Sequence, residues 1–281
     1  MPRILAIVAL VAALATPCAA QPRADPTWVG DFTVLSANVL LGAVSAGTAQ
    51  KARGGSFRDG FTRGAAGGAG VYAGKRIATR HFAGAGFLGR EVASVGASVI
   101  WNAGEGRPSF DRVALPLGPV RFYVTPRGHG PRVRARVDVA GAAMTGWAAT
   151  RRELRWDVGR TLSAGAPVFR APGRELVVGG ESAYGLGAFG TVILGAPLLA
   201  PAPSERGFAH ERVHVIQSDQ SFLSLGRPAQ EWLAGRVPGG HAVSRWIDVD
   251  LSVVAVLGLA TIIDAHDERP WEMEAIALSG Q

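Results

Sequence analysis

The stretch Phe208-Ala209-His210-Glu211-Arg212-Val213-His214-Val215-Ile216-Gln217 constrains this chain more than any other ten residues. Residues i and i+4 lie one turn apart on the same face of a helix. A helix here therefore points the His210 and His214 imidazoles at one place. Glu211 stands beside the first of them, within reach of a water held there. The spacing predicts a helix that gives a metal ion two nitrogen ligands and sets a carboxylate base next to them. A pattern this short also arises by coincidence, in which case the segment is only a helix that happens to contain two histidines. Against coincidence, the chain has six histidines and two of them stand at ligand spacing.

Length and composition bound what can surround that helix. A chain of 281 residues, 48% of them hydrophobic, can bury a real core and is not globally disordered. The formal charge is +7, almost all of it from Arg scattered among Asp and Glu. No basic run carries interleaved aromatics, so no nucleic-acid partner is expected, and attraction to an anionic membrane surface fits the charge better. Arg3, the apolar run Ile4 to Ala15, and small residues with Cys18 and Ala20 at −3 and −1 of a cleavage before Gln21 have the layout of an export signal. Ala15-Thr16-Pro17 is a poor lipoprotein signal for Cys18. Cleavage after Ala20 removes the single cysteine, which excludes disulfides and thiolate metal sites from the mature chain. The expected location is periplasmic or secreted, with association to the envelope.

The predicted fold class is α+β, in four regions. Residues 1–20 are the signal peptide. Residues 21–105 form small-residue, glycine-rich helices, one of them running from Phe87 to Trp101. Gly60-x-x-x-Gly64-x-x-x-Gly68 and Gly70-x-x-x-Gly74 put glycines on one stripe, which allows close helix contact in a membrane or inside a soluble domain. Arg58, Asp59, Arg63, Lys75 and Arg76 argue against an ordinary lipid-embedded span there. Residues 106–200 read as antiparallel β. Val120, Phe122 and Val124 alternate with polar neighbours. So do Val133, Ala135, Val137 and Val139, and then Leu154, Trp156 and Val158. Each set predicts one buried apolar face. The strands are too few for an outer-membrane barrel. Ala171 to Gly190 reads as a glycine-rich loop crossing toward the motif, and Thr191 to Leu194 as one short strand. Residues 201–281 are helical: Pro201 to Ser204 is a linker, the motif helix spans Glu205 to Phe222, and Pro270 opens the last helix. The apolar run Leu251 to Ile263 is expected to be a buried core segment beside the motif helix.

A catalytic zinc needs a third protein ligand and one open position. The metzincin pattern has a third histidine six residues beyond the second; Gln220 stands at that place, so a resemblance to that class is excluded. The motif together with Arg269-Pro270-Trp271-Glu272-Met273-Glu274-Ala275 resembles the gluzincin-like zinc metallopeptidases, over the C-terminal third only. The resemblance implies a zincin-like helical core and Zn2+ as cofactor. It implies Glu211 as the catalytic base of peptide hydrolysis, and His210, His214 and Glu272 as the metal ligands. Glu274 and Glu231 are the alternatives for the third place. The family often has Asp after the alanine; this chain has Ile276, which removes a partner that would orient a ligand. Gln217, His266 and Tyr184 are the candidates around the site, and Arg212 is read as a surface ion-pair partner. The implied partner is a peptide or protein substrate, with membrane association through the glycine-stripe helices. The alternative is a non-enzymatic envelope protein that keeps the metal site.

Overall fold

Glycine sets the spacing of the first three helices: α1 (Trp28–Ala52), α2 (Phe57–Ala78) and α3 (Ala85–Gly104). The computed structural model describes residues 28–126, 130–173, 176–178, 181–183, 185–195, 203–250 and 270–280. A methyl group on Gly64 would stand 2.2 Å from the Gly42 carbonyl oxygen, and one on Gly68 would stand 2.2 Å from that of Asn38. On the other side of α2, a methyl on Gly74 would stand 2.5 Å from the Gly89 carbonyl oxygen. The glycines expected on one stripe therefore divide between two faces, Gly60, Gly64 and Gly68 toward α1 and Gly70 and Gly74 toward α3, because residues 68 and 70 lie on opposite sides of a helix; α2 is clasped between the other two. Ser56 opens α2 by accepting the Asp59 N–H at 3.3 Å. Among the described residues one helical stretch, Gly30–Ala52, is long and apolar enough to cross a membrane, and most of it is uncovered by the rest of the described chain. Phe32 and Leu40 lie on its exposed side.

The β region folds into two four-stranded sheets and a hairpin. The first sheet has the order β1 (Val113–Leu117), β2 (Val120–Thr125), β3 (Arg132–Asp138), β10 (Ile247–Asp248). The second runs β4 (Arg155–Trp156), β5 (Val168–Arg170), β9 (Thr191–Leu194), β8 (Gly185–Ala188). Strands β6 (Leu176–Val178) and β7 (Glu181–Ala183) form the hairpin. The α+β class stands, but four expectations need correction. The sheets are mixed, because β10 joins β3 and β9 joins β5 in parallel. Two helices interrupt the region: α4 (Val139–Thr150) starts where Asp138 accepts the Ala140 N–H at 3.1 Å, and α5 (Val158–Ala164) starts where Asp157 accepts the Arg160 N–H at 3.0 Å. Each aspartate cap ends an alternation that the sequence alone would continue. Part of the stretch read as a crossing loop, Gly185–Ala188, is strand β8.

The fourth correction concerns which face of the first sheet is buried. Arg121 and Tyr123 of β2 are buried, whereas Val133 and Val137 of β3 are exposed. The inward face is the charged one. Arg121 meets Asp138 at 2.8 Å and Asp219 at 3.2 Å, and lies over the Phe222 ring at 4.0 Å. Arg90 meets Asp219 at 2.7 Å, and Arg227 meets Asp248 at 2.9 Å. Tyr123 donates to Asp248 at 2.6 Å. A buried guanidinium is tolerated only with such partners.

Helix α6 (Pro203–Ser221) runs through the middle of the molecule, and a π-helical turn, Phe222–Gly226, leads from it into α7 (Arg227–Ala234). The short α8 (Gly240–Val243) precedes β10. Phe208 and Val215 of α6 pack on Val168, Val192 and Leu194 of the second sheet. Ile216 packs on Ala78 and Ala93 of the helical trio. Val213 packs on Ala275 and Leu278 of α9 (Pro270–Ser279). These contacts fix the rotation of α6 about its axis and so fix where the two histidines point. The signal segment 1–20 and the apolar run 251–263 lie outside the described residues.

Candidate metal centre

Three side-chain atoms converge where α6 crosses α9. His210 Nε2 lies 2.9 Å from His214 Nε2. Glu272 Oε2 lies 3.2 Å from the first nitrogen and 3.1 Å from the second. Atoms that share a tetrahedral zinc at 2.0–2.2 Å are separated by roughly 3.3–3.6 Å, so the triangle needs only a few tenths of an ångström of expansion. The two rings meet edge to face, with their planes at 81°. His210 is 8% exposed and Glu272 is 6% exposed. The His210 Nδ1 is also buried and has no hydrogen-bond partner among the described residues. Two buried imidazole nitrogens facing each other beside a carboxylate form a donor set with a place for a cation. Burial pulls the His214 pKa down, but the hydrogen bond to Glu272 and the charge of Glu211 outweigh it and push it up to about 9.

Glu211 is held on the sheet side of α6. It is buried, and burial raises its pKa above the usual carboxylate range, with the two histidines opposing. The Gly187 N–H of β8 donates to its carboxylate. A methyl on Gly185 would stand 2.4 Å from Glu211 Oε1, and one on Gly187 would stand 2.3 Å from the Glu211 carbonyl oxygen and 3.0 Å from Oε2. Only glycine at both positions lets the strand lie this close to Glu211. Among the described residues, strand β8 is the last of its sheet, hydrogen-bonded to β9 along one side.

The other candidates divide clearly. Gln217 reaches His214 Nδ1 with its Oε1 at 2.8 Å. Glu274 lies behind the site, paired with Lys75 of α2 at 2.7 Å. Glu231 is on α7, held by Arg227 at 3.0 Å, and is not part of the His–His–Glu group. Arg212 is not a surface residue. It is 5% exposed, stacked over Phe208 at 4.7 Å, and its pKa falls to about 10 because burial disfavours the charge. Its position follows from helical geometry: Arg212 shares the face of Phe208 and Val215, which packs on the sheet. His266 and Tyr184 lie outside the described residues. Sequence reasoning missed Gly185, Gly187, Asn38 and Lys75. The glycines were visible only as part of a glycine-rich stretch, and nothing in the local sequence of α1 or α2 points to a site more than a hundred residues away.

No family model, no curated protein and no solved structure matches the chain.

Proposed function

We propose that the protein is a zinc-dependent peptidase of the exported compartment, with His210, His214 and Glu272 as the metal ligands and Glu211 as the base. The observation that carries this reading is the convergence of the three ligand atoms within 2.9–3.2 Å, with Glu211 on the same helix. Zinc held there would supply the Lewis acid that makes water acidic enough to attack near neutral pH. Glu211, held by the Gly187 N–H, takes the proton of the attacking water and delivers it to the leaving amine. Burial raises its pKa, which makes it a stronger proton acceptor than an exposed carboxylate. Among the described residues β8 pairs with a strand on one side only, and an extended peptide added along its other side would lie next to Glu211. The export reading rests on the N-terminal signal pattern and agrees with the apolar helix Gly30–Ala52, which also suits association with the envelope membrane.

Metal analysis of the purified mature protein tests the centre, with about one zinc per chain expected. Glu211→Gln should retain the metal and lose chelator-sensitive cleavage of casein or a peptide library. A wild-type protein that takes up no zinc would end the reading.

A second reading is favoured by the burial of the site, where Glu211 is 6% exposed. On this reading the protein is a non-enzymatic envelope component in which the metal holds α6 to α9. Zinc uptake without cleavage of any peptide in the library would select it.

A further inference from the structure

The sequence has Ile276 where the resemblance leads one to expect an aspartate that orients a ligand. The geometry supplies a replacement from a different direction. Gln217 Nε2 donates to the Trp271 carbonyl oxygen at 2.9 Å and to Glu274 Oε2 at 2.8 Å. Both are acceptors, so the amide has one orientation: turned over, its oxygen would face two oxygens. Oε1 is therefore the atom against His214 Nδ1 at 2.8 Å. An amide oxygen only accepts, so Nδ1 carries a hydrogen, and Nε2 is left as the ring atom that binds a metal.

The amide is in turn held by a buried ion pair. Lys75 Nζ donates to Glu274 Oε1 at 2.8 Å, to Glu274 Oε2 at 2.7 Å and to Asn38 Oδ1 at 3.0 Å, which uses all three of its hydrogens. Asn38 Nδ2 donates to Glu274 Oε1 at 2.6 Å and to the Val34 carbonyl oxygen at 2.9 Å. Lys75 is 1% exposed and Asn38 is 2% exposed. A lysine this deep, with every hydrogen directed at one carboxylate and its neighbour, costs desolvation that packing alone does not require. Its placement depends on glycine: Asn38 reaches Lys75 because Gly68 lets α1 close onto α2 at the Asn38 carbonyl.

We propose that Lys75 and Asn38 are positioning residues for the metal centre, acting through Glu274 and Gln217 to hold the His214 ring in its Nδ1–H form and at its angle. The glycine-rich helices are thereby part of the site and not only its support. The purpose of this chain rests on the zinc reading above. Its effect on the ring is measurable without turnover.

The test uses the purified mature protein loaded with zinc, and separately with Co(II), as wild type, Gln217→Met and the charge-free double variant Lys75→Met/Glu274→Gln. Zinc affinity by chelator competition should fall about 10- to 100-fold in both variants, the usual effect of losing a partner to a ligand. In the Co(II) form, the His214 ring N–H should be protected from solvent exchange in wild type and lose that protection in both variants. Circular dichroism shows which variants are folded, and Gln217→Met leaves the ion pair intact if the double variant fails to fold. Unchanged zinc affinity and unchanged exchange in folded Gln217→Met overturn the proposal. Failure of the wild-type protein to bind either metal overturns the zinc reading itself, an outcome distinct from normal uptake with an indifferent Gln217.

Discussion

The Gly187 N–H donates to the Glu211 carboxylate, and Glu211 Oε2 lies 3.0 Å from the place a Gly187 side chain would occupy. Strand β8 and Glu211 are fitted to each other with no room for one more carbon. Gly187→Ala should therefore force either β8 or Glu211 to move, at a cost of about 1–3 kcal/mol. If Glu211 is the base, hydrolysis should fall by about 10²-fold or more while zinc content stays at wild-type level. Loss of zinc together with activity would show that the strand supports the ligands and not the base.

Two of the three candidate glutamates, Glu272 and Glu231, make a direct contrast. Glu272→Ala removes an atom 3.1 Å from His214 Nε2 and should lower zinc affinity by more than the 10–100-fold typical of an outer partner. Glu231→Ala removes a carboxylate held by Arg227 on α7 and should leave zinc affinity unchanged. Titration of both proteins against a zinc chelator decides the order, and equal affinities would refute Glu272 as a ligand.

The glycines of the helical trio are not equivalent to glycines elsewhere. Gly64→Ala places a methyl 2.2 Å from backbone, so α1 must retreat. The expected loss is about 1–3 kcal/mol, or a few degrees to roughly 10 °C in Tm. Gly146, inside α4, has nothing within 4 Å of an added methyl. Gly146→Ala should be neutral or stabilising by about 0.5–1 kcal/mol. Thermal melts of the two variants side by side test the contrast.

Glu91 gives the fold a pH dependence of its own. Burial, with the Asp219 charge adding and Arg90 opposing, raises its pKa to about 7. A carboxyl raised above its unfolded value of about 4.3 favours folding in its neutral form. Its contribution is full below about pH 4.3 and is lost progressively as the pH rises to about 7. Glu91→Gln should remove that decline and leave the variant more stable than wild type above pH 7, by on the order of 1–3 kcal/mol. Denaturant unfolding at pH 5 and pH 8 measures it, and an equal gap at both values would refute it.

Much of the centre can be read from sequence because its parts are local. His210 and His214 are a turn apart, and Pro270 marks the helix that brings Glu272. The motif helix and strand β9 fall where periodicity puts them. The buried face of the first sheet does not, because alternation identifies two faces and hydrophobicity selects the wrong one. Arg121 is inside only because Asp138, Asp219 and Asp248 arrive from three other elements. Lys75 is hidden for the same reason: its carboxylate partner is 199 residues away. Val139 and Val158 continue apolar alternations but are the first residues of helices, since an aspartate before each caps the backbone.

Glu272, the proposed third ligand, stands on the last described helix, far along the chain from His214. A divalent ion held jointly by His214 and Glu272 joins positions 58 residues apart. In the chain-entropy picture, a cross-link closing a loop of that size withholds about 4 kcal/mol of disorder from the unfolded chain, provided that it persists there. An ion that leaves on unfolding stabilises instead through its binding affinity and concentration. The two cases separate by experiment: a persistent tether gives a midpoint indifferent to added zinc, whereas a released ion gives one that climbs with its concentration.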